Sequence, residues 1–560
     1  MGRLNMSPST RHHLAALALA AAASTATSVA VAADDAACHT AHEGEACYDA
    51  VQWALTVGIL EHPDWYPGLS SQSSFEDFQA LLQRTVSDCQ TPCPATNCET
   101  AAPGSDCYAA VRFARSQEVF SHPDWYPGVS ANSSFEDFQR VLFNKNQSNC
   151  SNPCPARENP GFQCTSDELD LKVVKPAQKG LNLDDSSFHW CHEDIPSVWP
   201  NTKEPVGSLR LFHSWEIDWD EGGRTVARAD LVRYVQRHNV KVLVGSAVTC
   251  NQTDDDLDWN RTLELIQMLG PNNILGVAVG NEVDLLYTQE YVKSTPECIP
   301  ELWAGGRYWR VLQERFQQLD NLGPAYSKLP ITTVWSPAVV GGDPFVETEN
   351  AMATSLMRNA SALYGQRWVW SINYYSYWNA WAFPDFPFFW RCGRAIHRAT
   401  CWNAEDMECE VMQGFKGTRQ KIKQITNRDD DIFWVSEIGW SSPRTSHVQS
   451  MVMRLCSDFT SKQTFAKFYE DFLNYDLGAV EGVRGPDHIF YFSMRDARQF
   501  TTEEHFGLLD AGSDPKKLCD MRDCKLKRAD FPTKEDSFFN PAQELLWNAN
   551  ANASFTSIFM

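Results

Sequence analysis

Long apolar runs are nearly absent from this 560-residue chain. The one candidate, Leu14 to Ala23, is too short to cross a bilayer. It follows Arg3, Arg11, His12 and His13 and precedes Ala30-Val31-Ala32, so residues 1–32 read as a signal peptide with a small-residue cleavage site. The segment Phe555 to Met560 is too short for a lipid-anchor signal. Positive charge is also scarce. The chain has 48 Lys and Arg against 71 Asp and Glu, a formal net charge of -23. Nucleic acid and anionic membranes would be repelled, whereas a neutral polysaccharide is indifferent. The runs Asp254-Asp255-Asp256 and Asp429-Asp430-Asp431 read as solvated loop faces rather than a metal site.

Cysteine and tryptophan are plentiful. Eighteen Cys, an even number, suit an oxidising compartment and a secreted, extracellular or cell-wall location. The sequons at Asn132, Asn146, Asn251, Asn260, Asn359 and Asn552 would then be open to glycosylation. The 20 Trp serve either core packing or stacking on sugar faces.

Residues 38–155 contain a direct repeat. His62-Pro63-Asp64-Trp65-Tyr66-Pro67-Gly68 returns as His122-Pro123-Asp124-Trp125-Tyr126-Pro127-Gly128, and Ser73 to Gln79 returns as Ser133 to Gln139. Four Cys repeat as well, which divides the segment into units 38–94 and 98–155. Units this small need staples, so two disulfides each are expected, with the connectivity unreadable. Zinc on the Cys-x3-Cys pairs is the rival reading. Tyr48 to Leu55 and Phe75 to Leu82 have helical spacing, and the Pro-Asp-Trp-Tyr-Pro-Gly segment is a turn. Trp65, Tyr66, Trp125 and Tyr126 are sugar platforms or core packing, with packing favoured; duplication itself suits a polymeric ligand.

From 165 to 548 apolar β-rich runs alternate with amphipathic stretches. Candidate strands are Ser187–Trp190, Ser208–His213, Lys241–Ala247, Ile274–Asn281, Ile331–Trp335, Val369–Tyr375, Ile432–Glu437 and His488–Ser493. Helices are expected across Ala229 to His238, Trp303 to Leu319 and Ser457 to Leu473. Eight such units imply an α/β fold, a (β/α)8 TIM barrel preceded by two small disulfide-stapled, mainly helical repeats. The active site of that fold lies where the strands end.

Two of these strands end alike. Val277-Ala278-Val279-Gly280-Asn281-Glu282 and Phe433-Trp434-Val435-Ser436-Glu437 are buried runs that stop on a carboxylate. Either Glu alone reads equally well as a salt-bridged strand end. Two at the same end of one barrel point to glycoside cleavage, where one carboxyl serves as acid/base and the other as nucleophile. No metal or organic cofactor is implied.

The large domain resembles glycoside hydrolase family 17, the β-1,3-glucanase family. The resemblance runs in order through Ser208-Leu209-Arg210-Leu211-Phe212, Asn273-Ile274 to Glu282-Val283, Trp434 to Ser442, Ile489 to Phe492, and Glu503-Glu504-His505-Phe506-Gly507. It implies retaining hydrolysis of β-1,3-glucan, with Glu282 as acid/base and Glu437 as nucleophile. By the same resemblance Asn281 bonds the sugar 2-hydroxyl, Tyr375 orients the nucleophile, and Trp440 and Phe506 line glucose sites. Arg210 and Glu503, in matching motifs, become substrate contacts. Departures are Ser441 where Pro is usual, and Met494-Arg495-Asp496-Ala497-Arg498 where an acid and a Lys are usual; Asp496 and Arg498 are the candidate substitutes. The family's first-strand motif is not recognisable near Phe188-His189-Trp190. A glucanosyltransferase using the same two Glu, and a non-catalytic glucan-binding wall protein, are the alternatives. Insertions after Glu282 and after the sixth strand, the latter rich in aromatics from Trp378 to Trp390, are expected to shape the cleft.

Overall fold

The computed structural model describes residues 38–154 and 171–378, apart from short breaks, and then 392–442, 456–496, 505–510 and 522–524. Residues 1–32, expected as a signal peptide, most of the aromatic insertion and the end of the large domain lie outside the described residues. Among the described residues no helix is long and apolar enough to cross a membrane.

Each repeat is built on two helices, Ala46–Trp53 with Phe75–Leu82 and Asp106–Phe113 with Phe135–Asn144. The shared Ser-Phe-Glu-Asp motif starts the second helix of each pair. Ser74 and Ser134 accept from the Asp77 and Asp137 amides, and those carboxylates accept from the serine amides in return. This reciprocal cap satisfies two backbone donors that the helix cannot. Nested disulfides close each unit: Cys38–Cys93 outside Cys47–Cys89, then Cys98–Cys154 outside Cys107–Cys150. The zinc reading falls, because these sulfurs bond to one another. Each repeat keeps its own small apolar cluster, and Tyr66 and Tyr126 belong to it, packed near Phe78 and Phe138. Trp65 and Trp125 stay outside. The second repeat is tied to the barrel: Arg115 reaches buried Asp230 with both guanidinium nitrogens, one at 2.9 Å, and His192 meets the same carboxylate at 2.6 Å.

The barrel strands are β1 Lys179–Asn182, β2 Ser208–Arg210, β3 Lys241–Ser246, β4 Ile274–Asn281, β5 Ile331–Trp335, β6 Val369–Asn373, β7 Ile432–Ile438 and β8 His488–Tyr491. All neighbours pair in parallel, and β1 against β8 closes the ring with Gly180 opposite Phe490. Strands buried on both faces explain the continuous apolar runs. Leu243, Ala278, Val334, Val369, Trp434 and Phe490 fill the interior. Two large rings fit there because glycines face them. A Cβ at Gly180 would lie 2.2 Å from the Phe490 ring, and one at Gly276 2.9 Å from Trp434. Helices such as Glu221–His238 and the amphipathic Arg307–Asn321 and Lys462–Asn474 cover the outside.

The first strand differs from expectation. Ser187–Trp190 is the end of a helix, Asp185–Trp190, whose start is fixed by Asp184 accepting from the Ser187 amide at 2.8 Å. The true β1 has one apolar side chain, Leu181. Its Lys179 is buried, and Nζ donates to the carbonyls of Val174, Leu473 and Tyr475, each at 2.6 Å. Burial draws this ammonium down to about 7, while three carbonyl acceptors match its three N–H donors. The acidic runs also differ. Asp254-Asp255-Asp256 begins the helix Gln252–Leu269, with Asp255 buried and accepting from Thr249 N and Oγ1 at 2.8 Å. Asp431 is likewise buried, bonded to Thr426 at 2.5 Å and to Arg428. Asp255 and Asp431 brace loops, while Asp256, Asp429 and Asp430 face water as expected.

Among the described residues three further disulfides pin loops after the strands. Cys250–Cys298 joins the segments after β3 and β4, Cys392–Cys456 joins those after β6 and β7, and Cys401–Cys409 closes a short loop.

Candidate active site

Four strands end on polar side chains that meet. On β2, Arg210 is buried and spreads its guanidinium across three neighbours. Nη1 donates to Glu437 Oε1 and to the Ser436 carbonyl, both at 2.8 Å, and Nη2 donates to Asn281 Oδ1 at 2.7 Å. Phe212 lies against the same cation, 4.4 Å from ring centre to guanidinium carbon. On β6, Asn373 donates to Glu282 Oε1 at 2.9 Å and to Asn281 Oδ1 at 3.3 Å, while its own carbonyl lies 3.4 Å from Arg210 Nη1. Glu282 and Glu437 are therefore joined by Asn373 and Arg210.

The backbone delivers Glu282 by an unusual route. Gly280 and Glu282 both have positive φ, +87° and 45°. At Gly280 a Cβ would lie 2.5 Å from the Tyr308 hydroxyl, so only glycine fits. The Glu282 amide then bonds the Val334 carbonyl at 2.8 Å, which ties the carboxylate's backbone to β5. Just beyond, buried Asp284 accepts from Ser336 Oγ at 2.5 Å, and burial pushes its carboxyl upward. Glu437 is nearly inaccessible. Besides Arg210 it accepts the Tyr375 hydroxyl on Oε2 at 2.6 Å. Charge-assisted bonds of this kind fix the plane of a carboxylate.

The remaining expected site residues lie apart from this cluster, and the expectations for Trp440, Phe506 and Arg210 are corrected. Trp440 is fully buried, and its indole N–H donates to the Phe459 carbonyl at 2.9 Å. Phe506 is also buried, 5.4 Å from the Tyr375 ring and 5.3 Å from Tyr377. Neither presents a face to a sugar; Phe506 packs against Tyr375, and Trp440 against Tyr377, Phe459 and Phe468. Arg210, expected to touch substrate, is buried and holds Glu437 and Asn281 instead. Asp496 holds the chain after β8, accepting from the Gly507 amide at 2.9 Å, with His505 Nδ1 at 3.3 Å. Glu503 and Arg498 lie outside the described residues.

Asn373 and Asn182 were not foreseen as site residues. Asn182, at the end of β1, donates to the carbonyls of Ser436 and Tyr491 at 3.1 Å and so braces β7 just before Glu437. The signal was present for Asn373: a run Val-Trp-Ser-Ile stopping on Asn has the form of the two Glu strands.

No protein-family model matches the chain, and no curated protein matches it. Solved structures give distant likenesses. An active-site mutant of Rhizomucor miehei β-1,3-glucanosyltransferase in complex with laminaritriose is 14% identical, covering 60% of this chain and 96% of that one, at a TM-score of 0.36. The glycoside hydrolase family 17 β-1,3-glucanosyltransferase from the same organism gives 14%, 60%, 96% and 0.33. CJP38, a β-1,3-glucanase and allergen of Cryptomeria japonica pollen, gives 14%, 62%, 95% and 0.37. The fold rests on the chain's own closed strand order, and no residue's role is taken from these structures.

Proposed function

We propose that this chain is a secreted retaining glycoside hydrolase that cleaves β-1,3-glucosidic bonds in β-glucan. The observation that carries the reading is the bridge: Asn373 bonds Glu282, Arg210 bonds Glu437, and Arg210 meets Asn373, which links the two strand-end carboxylates at one end of a closed barrel. Paired carboxyls are the requirement of glycoside cleavage. The ordered motif resemblance supplies the substrate class.

Roles follow from partners. Glu437, held by a guanidinium and a phenol, is the nucleophile. One carboxylate oxygen attacks the anomeric carbon and forms a glycosyl ester, while Glu282 gives its proton to the departing glycosidic oxygen. Glu282, now a carboxylate, takes a proton from water. That water attacks the same carbon and releases Glu437. Asn281 has its Oδ1 occupied by Arg210 and Asn373, which turns its amide nitrogen toward a ligand as the donor for a sugar hydroxyl. Tyr375 orients Glu437 from the opposite oxygen.

Glu437→Gln and Glu282→Gln, assayed on laminarin, test the pair. Loss of sugar release in both is expected, and undiminished release by Glu437→Gln would overturn the assignment. Product analysis on a defined β-1,3-oligosaccharide resolves the mode. Shorter products are expected; products longer than the substrate would make the same two carboxyls those of a transferase.

A further inference from the structure

The repeats carry side chains that their own folding does not use. Positions identical between the two copies fall into two groups. In the Ser-Ser-Phe-Glu-Asp-Phe-Gln stretch, the serine and Asp form the helix cap and Phe78 and Phe138 are fully buried. Gln79 and Gln139 each make three hydrogen bonds to backbone. Tyr66 and Tyr126, from the other shared stretch, fill the cores.

Trp65 and Trp125 do neither. They are 59% and 46% exposed. Each lies on the histidine three residues earlier, His62 or His122, with ring centres 4.1 Å apart and planes 13° apart in both copies. Neighbouring positions have diverged: Trp53 corresponds to Phe113, Leu55 to Arg115 and Gly58 to Glu118. An exposed ring costs solubility and adds nothing to the core, yet both copies keep it in one geometry.

We propose that His62–Trp65 and His122–Trp125 are twin platforms on which glucose rings of a β-1,3-glucan chain stack. The histidine occupies one indole face and fixes the ring, so little freedom remains to be lost on binding. The other face offers a flat apolar surface to the C–H face of a pyranose. The net charge of -23 disfavours polyanions, and two equal platforms suit a ligand that repeats along its length. The identity of the glucan rests on the function proposed for the barrel; the platforms themselves do not.

The test uses the full chain carrying Glu437→Gln, so that polymer is not consumed, and measures its depletion from solution by insoluble β-1,3-glucan, cellulose and chitin. Trp65→Ala or Trp125→Ala is expected to weaken retention on β-1,3-glucan about tenfold each, and the pair to weaken it further. Trp→Phe at both sites should restore most of it. With Glu437 intact, the double Ala variant should cleave a short soluble β-1,3-oligosaccharide at the parent rate, which also shows that it folds. Retention of the double Ala variant within twofold of the parent overturns the platforms and leaves the barrel reading standing. Tryptophan-dependent retention on cellulose or chitin but not on β-1,3-glucan overturns the ligand. Tryptophan-dependent retention on β-1,3-glucan by a chain that cleaves no such bond supports the platforms and removes the barrel reading.

Discussion

Tyr375 donates its phenol to the one oxygen of Glu437 that Arg210 does not use. The carboxylate proposed as the nucleophile is thereby held from both ends, by a cation from β2 and a hydroxyl from the segment after β6. A hydrogen bond to a charged group contributes about 1.5–3 kcal/mol. Tyr375→Phe should therefore lower kcat about 10- to 100-fold with KM little changed, measured on a soluble β-1,3-oligosaccharide. A rise in KM at constant kcat would instead make Tyr375 a simple sugar contact.

Arg210 serves several acceptors at once, and a lysine cannot reproduce that fork. Arg210→Lys should reduce activity more than a hundredfold and also lower the unfolding midpoint, because Glu437 and Asn281 lose a shared buried partner. Arg210→Met removes the charge and leaves Glu437 buried without its cation, a loss of about 3–5 kcal/mol. Denaturant titration of both variants reads this directly. Equal stability to the parent would show that the guanidinium is not needed where it sits.

Trp440 and Phe506 separate packing from binding. Trp440→Ala should destabilise by about 3–5 kcal/mol, the usual consequence of emptying a buried aromatic site. Trp440→Phe should retain the fold with KM unchanged. A tenfold rise in KM in a well-folded Trp440→Phe protein would move this ring back into the cleft.

Acid sensitivity has an identifiable source. His488 is buried inside the barrel, with Nε2 2.8 Å from Ser208 Oγ, and burial lowers it to about 3. An unfolded histidine titrates near 6.5. Between about pH 3 and pH 6.5 the unfolded chain thus binds a proton that the folded chain refuses. Stability is full above this window and falls as pH drops through it, by up to about 1.4 kcal/mol per pH unit for each such group. His189, stacked on Trp219, adds to the same slope. His488→Gln keeps a polar group near Ser208 and cannot titrate, so its stability should fall less between pH 6.5 and pH 4. Parallel slopes for variant and parent would remove His488 from the account.

Most of the barrel was legible because strands buried on both faces announce themselves as apolar runs, as in Ile274 to Gly280 and Ile432 to Val435. The exception is instructive. Lys179-Gly180-Leu181-Asn182 carries no such run: Gly180 makes room for Phe490, and Lys179 is buried through carbonyl contacts that no local pattern encodes. The two Glu were legible for the same reason as the strands, a charge ending an apolar run. Asn373 obeys that rule and was passed over because an amide is less conspicuous than a carboxylate. Trp440 and Phe506 depart from expectation because adjacency to a strand-end Glu motif says nothing about which way a ring turns; here both turn inward. In the repeats, sequence could not separate Trp65 from Tyr66, adjacent rings of which one is buried and the other faces water.

The left-handed backbone at Glu282 sets foldability against chemistry at a single position. Any residue with a Cβ holds φ 45° at a disadvantage of roughly 1 kcal/mol, and glycine does not. A library selected only for heat resistance should therefore enrich glycine at 282 over alanine, and every such survivor would lack the carboxyl proposed as acid/base. Thermostabilising this barrel without an activity screen would lead toward inactive protein.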